Sequence, residues 1–156
     1  MKGETKMAKV NAREILNEVR SHIDEYNDEY LFANRRGVIS DEEKYGGRSG
    51  GAEDVLKMLE DTFEKKGKIT KESEVLDKIR EYIQENDAKV KKHELHSSTL
   101  VSEFYGGKRD AAKEILERLD GLLEKGEIVA NVKAKINLKP KAKLGKEVSN
   151  DITDGM

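Results

Sequence analysis

The sequence predicts a mainly α fold: a duplicated helical hairpin forming a four-helix arrangement, followed by a C-terminal basic tail that is strand-like or disordered. Three observations predict it. Apolar residues recur at helical spacing in two separate stretches. Two unrelated motifs return at one shared offset of sixty residues. After Gly126 the helical spacing gives way to strict alternation.

The first helix is marked by Leu16, Val19, Ile23, Tyr26 and Tyr30. Steps of three and four place them on one helical stripe, which a strand cannot produce. Asn11 with Glu14 three places on has the form of a capping box and marks the start. A loop of ten or more residues is expected next. It ends in Tyr45-Gly46-Gly47-Arg48, because a glycine pair is a strong turn signal. A shorter helix near 52–66 follows, with Gly67 placed for a left-handed C-terminal cap.

The second unit repeats the plan. Glu14-Ile15-Leu16-Asn17-Glu18-Val19-Arg20 returns as Glu74-Val75-Leu76-Asp77-Lys78-Ile79-Arg80. Leu76, Ile79, Ile83, Asn86 and Val90 renew the stripe, and Thr70 or Ser73 can start it. Tyr105-Gly106-Gly107-Lys108 returns the turn, with Asp110 as N-cap of a helix near 111–125 and Gly126 as its closing glycine. Val55/Ile115, Leu56/Leu116, Leu59/Leu119 and Phe63/Leu123 keep the offset, whereas 28–44 and 88–104 barely match. One hairpin cannot bury its stripe alone, which is a physical reason for two. The expected core is Leu16, Val19, Ile23, Leu56, Leu59, Leu76, Ile79, Ile83, Leu116 and Leu119.

In the tail, Ile128, Ala130, Val132, Ala134, Ile136 and Leu138 alternate with Val129 and five polar positions until Pro140. No partner strand is evident, so this stretch pairs with its copy in a dimer, docks on a partner or stays disordered. The expected organisation is a flexible N-terminus over 1–10, repeats over 11–69 and 70–128, and an extended tail over 129–156, disordered at its end.

The 156 residues suit one domain. Thirty basic and 32 acidic residues leave a net charge of −2, and charged residues reach 40 % against 35 % hydrophobic, so the core is thin. The charge is polarised. Residues 1–126 carry 24 bases and 28 acids, whereas residues 133–146 carry six lysines and no acid. The absence of cysteine excludes a disulfide scaffold and thiolate chemistry. No apolar run approaches the roughly 20 residues of a membrane span, and no signal segment opens the chain. A cytoplasmic protein without membrane attachment is expected.

Enzyme signals are sparse. His93-Glu94-Leu95-His96 has a three-residue step, where the zincin pattern needs four. Asp41-Glu42-Glu43 reads as a solvated face, and no phosphate loop or nucleophile elbow is present. No catalytic residue, metal or cofactor is expected.

The Tyr-Gly-Gly segments suggest binding instead. Each joins an aromatic ring, a glycine pair and a cation just before an expected helix N-terminus, where free amides favour phosphate. Tyr45 and Tyr105 could stack on bases, and Arg48, Lys108 and Arg109 could pair with phosphates. Arg35, Arg36, Lys133, Lys135, Lys139, Lys141, Lys143 and Lys146 would extend a single-stranded RNA surface. The alternative is structural: the tyrosines pack, and the glycines serve the fold.

In overall style, a short, cysteine-free, charge-rich helical chain with a diverged duplication resembles the early accessory proteins of large bacteriophages. The resemblance implies a regulatory protein that binds and redirects a host protein, and it transfers no functional residue. The expected partner is therefore RNA or a host protein, with a possible homodimer through 128–138.

Overall fold

The computed structural model describes residues 8–96 and 99–130. Their order is β1 (Ala8–Asn11), α1 (Ala12–Arg36), α2 (Ile39–Lys66), β2 (Lys68–Ile69), α3 (Glu74–Leu95), α4 (Thr99–Lys125) and β3 (Gly126–Val129). The mainly helical, four-helix architecture is the one the stripes imply.

Local chemistry sets several boundaries. The Asn11 side chain accepts a 2.9 Å hydrogen bond from the Arg13 amide and caps α1. Gly37 ends α1 in the left-handed region at φ 73°, and Val38 N–H donates back to the Ala33 carbonyl. Gly67 closes α2 at φ 77°, donating to the Phe63 carbonyl. Ser73 precedes α3 with extended backbone, but its hydroxyl accepts from the Thr70 amide and so holds the connection rather than the helix end.

The expected long loops are absent. Each hairpin turns within a few residues, and both Tyr-Gly-Gly segments are helical. Tyr45 is the seventh residue of α2 and Tyr105 the seventh of α4. The helices expected near 52–66 and 111–125 are thus the second halves of longer ones. Asp110 lies in mid-helix rather than at a cap. Gly126 is the first residue of β3 and lacks the positive φ of Gly37 and Gly67. Ala8–Asn11, expected to fall mostly in a flexible terminus, is a strand.

The three strands form one sheet in the order β1-β3-β2. β1 runs parallel to β3 with Ala8 opposite Gly126, and β2 runs antiparallel to it with Ile69 opposite Ile128. Residues 126–129 therefore have strand partners on both sides within the chain. Ile69 and Ile128 are fully buried where the sheet closes the bundle. Ala130 N–H then donates to the Gly67 carbonyl at 2.9 Å. The alternating tail from 131 onward lies outside the described residues.

α2 and α4 form the central pair, with α1 packed on α2 and α3 on α4. The central helices run parallel: Gly47 faces Phe104 and, one turn on, Gly51 faces Lys108. Both hairpin turns consequently lie at the end of the bundle opposite the sheet. Leu16, Val19, Ile23, Leu59, Leu76, Ile79 and Leu119 are buried, while Leu56, Ile83 and Leu116 are half-buried against them. Phe63, Ile15 and Leu122 complete the interior. Asn86 is buried within its apolar stripe and donates to the Tyr82 carbonyl at 2.8 Å, so its amide is not stranded.

Candidate interaction surface

Within each glycine pair, the second glycine is where the central helices touch. A Cβ added at Gly47 would overlap the Phe104 carbonyl, and one at Gly107 would overlap the Lys44 carbonyl. Gly47 and Gly107 are sixty apart, as are Lys44 and Phe104, so the two contacts are images of each other. A Cβ at Gly51 would lie 2.7 Å from the Lys108 backbone, and the buried Ala111 takes the equivalent place on α4. Small residues one turn apart on both helices let the backbones meet. That packing requirement accounts for Gly47 and Gly107 without any ligand, whereas no opposing backbone lies against Gly46 or Gly106.

The cations expected on RNA are engaged inside the same crossing. Arg48 Nη1 lies 3.2 Å from Glu114 Oε2, and its guanidinium sits 5.7 Å over the Tyr26 ring. The Tyr26 hydroxyl donates to Glu114 Oε1 at 2.8 Å. The second unit builds a similar brace, with the cation and carboxylate at the sixty-residue offset but the tyrosine one helical turn out of it. Lys108 Nζ is 3.9 Å from Asp54 Oδ2, to which the Tyr82 hydroxyl donates at 2.6 Å. Arg48/Lys108 and Asp54/Glu114 both keep the sixty-residue offset. Each brace joins the outer helix of one hairpin to the inner helix of the other.

Burial, reinforced by the Glu114 carboxylate, pushes the Tyr26 phenol up to about 12. Burial and Asp54 raise Tyr82 as well. The neutral phenols are thus favoured in the folded state. Each contribution is complete below the unfolded value near 10; that of Tyr26 is lost as pH rises towards about 12, and that of Tyr82 declines across the same range. Denaturant midpoints measured between pH 8 and pH 12, both values being about those that bracket the phenol titration, should fall through this window. A Tyr26→Phe/Tyr82→Phe variant should show a shallower fall, and an unchanged slope would mean the phenols do not titrate with unfolding.

Of the remaining site candidates, Arg109, Tyr105 and Tyr45 are also held. Arg109 contacts Asp87 Oδ1 and Asp110 Oδ1, each at 2.9 Å. Hydrogen bonds from Lys91 and Arg109 hold the Asp87 carboxyl below the usual range. The Tyr105 ring stacks on His93 with 5.6 Å between centroids, and Lys89 Nζ lies 5.0 Å from it. Tyr45 is half-buried against the core. Arg35 and Arg36 are exposed in the last turn of α1, with Arg36 over the Phe32 ring. The structure therefore places Arg48 and Lys108 at the crossing, Tyr105 and Arg109 against α3, and Tyr45 against the core, all well inside the helices rather than at their N-termini. Lys133, Lys135, Lys139, Lys141, Lys143 and Lys146 lie outside the described residues.

A different surface stands out at the hairpin turns. Among the described residues, the exposed large hydrophobic side chains are Tyr30, Leu31, Phe32, Ile39, Leu95, Leu100 and Val101. All belong to the last turns of α1 and α3 or the first turns of α2 and α4. Leu95 is 83 % exposed. The signal in the sequence was the run Tyr30-Leu31-Phe32, because three adjacent apolar residues cannot share one helical stripe.

Among the described residues, no group of three or more His, Asp or Glu is placed to hold a metal ion, and no helix is long and apolar enough to cross a membrane. No known family, curated protein or solved structure matches the chain, so the reading of function starts from this surface.

Proposed function

We propose that the chain is a non-enzymatic protein-binding module that engages its partner through the end of the bundle formed by the two hairpin turns. The observation that carries this reading is the gathering of the exposed large hydrophobics at that one end. Large apolar side chains left exposed and clustered at one end of a fold are characteristic of interaction sites. An RNA-binding surface built on the Tyr-Gly-Gly segments has less support, since Arg48, Lys108 and Arg109 are paired with carboxylates and the tyrosines pack on their neighbours.

The test is capture by the immobilised full chain, using wild type and Phe32→Asp/Leu95→Asp. Both side chains are already exposed, so circular dichroism should be unchanged. Capture of protein by wild type should survive nuclease treatment and vary little with salt between about 50 and 200 mM, whereas RNA binding would fall steeply over that range. The double variant should lose it. Nuclease-sensitive capture that the double variant retains would refute the proposal and favour RNA.

A further inference from the structure

We infer that the partner of the hairpin-end surface is a second copy of the chain, docked end to end about a two-fold axis; this rests on that end being the working surface. Area is the first argument. Large side chains at these fractional exposures present on the order of 100 Å² each, hence an upper bound of about 700 Å² per chain. A standard stable interface takes roughly 800 Å² from each partner, so one copy is nearly sufficient to cover the patch in another.

Self-complementarity is the second. The two hairpin ends lie side by side, related by the same duplication that relates the glycine contacts, but they are the segments that diverged. Residues 28–44 carry five acids and three bases, whereas residues 88–104 carry three bases, two acids and two histidines. Over these spans one end is net −2 and the other net +1, with Lys91 of the latter paired to Asp87 at 3.1 Å. A two-fold axis perpendicular to the line joining them sets each negative end on the partner's positive end. The axis along that line sets like on like. Charge thus selects the crossed arrangement. Phe32 and Ile39 of one copy then meet Leu95 and Leu100 of the other, with the charged residues at the rim.

Sedimentation velocity over a concentration series tests this on the full chain. Wild type should approach twice the 17.6 kDa chain mass. Leu95→Glu should weaken self-association by about tenfold or more, as loss of a central apolar anchor does. Lys91→Glu/Lys92→Glu makes both ends negative, and Asp41→Lys/Glu43→Lys makes both positive. Each variant alone should stay monomeric where wild type is dimeric, and an equimolar mixture should restore the dimer. A dimer indifferent to Leu95→Glu and to both charge variants would overturn the inference and place self-association elsewhere, such as the tail beyond Ala130. A monomeric wild type that still captures protein through Phe32 and Leu95 would overturn the self-partner while leaving the binding surface intact. A monomer with no such capture would overturn both.

Discussion

Gly47→Ala and Gly107→Ala should each cost about 2–4 kcal/mol of stability, whereas Gly106→Ala, one residue away, should raise stability by about 0.5–1 kcal/mol. All three glycines are inside helices, where alanine has the higher propensity. At Gly106 that preference acts alone, because the nearest atoms to an added Cβ are side-chain ends 3.8 Å away. At Gly47 and Gly107 the Cβ meets backbone of the opposing helix, which cannot rotate out of the way. The central helices would have to separate and loosen the core that α2 and α4 share. Urea unfolding of the three variants gives the comparison directly. Gly121→Ala, with nothing within 4 Å of the added Cβ, is a second stabilising control.

The double variant Gly47→Ala/Gly107→Ala sharpens the point. Its cost should fall short of the sum of the two, because the first substitution already opens the crossing that the second disturbs. Mild, additive effects at both positions would instead point to flexible segments serving a ligand. The contrast between neighbouring glycines separates packing from recognition without knowledge of any partner.

Burial with helical period was legible in the sequence, and so were local caps. Leu16, Val19 and Ile23 announce their face by spacing alone, and Asn11 and Gly67 act on backbone within a few residues of themselves. The glycine pairs were not legible as helix, because their meaning depends on a helix sixty residues away. Locally they signal a turn. β1 and β2 were missed for a related reason: they are four and two residues long and pair across the chain with β3. For the candidate site, the offset identified the tyrosines and cations but not what they face. A clue was present. Asp54 and Glu114 recur at the same offset as Arg48 and Lys108, as the two halves of a repeated brace must. The exposed end escaped because Tyr30 continues the stripe by spacing, although the last α1 residue in the core cluster is Tyr26.

Leu59→Ala and Leu119→Ala should each cost about 3–5 kcal/mol, the upper part of the range for emptying a fully buried leucine site. Both side chains have no exposed surface, and they occupy equivalent places on α2 and α4. Neither helix can shift to fill the space, because both are pinned at the glycine crossing on one side and at the sheet on the other. A cavity that cannot collapse keeps its full penalty, which is why the larger value is expected. Ile83→Ala provides the contrast. Ile83 is half-buried, solvent can enter the space it leaves, and the cost should be about 1–2 kcal/mol. Against a total of about 5–15 kcal/mol for a domain, either leucine change removes a large share, so denaturant midpoints will resolve the difference easily. Equal costs at 59 and 119 would mean that the two halves of the duplication still bear the fold alike. A small cost at one and a large cost at the other would mean that one hairpin carries the core and the other leans on it.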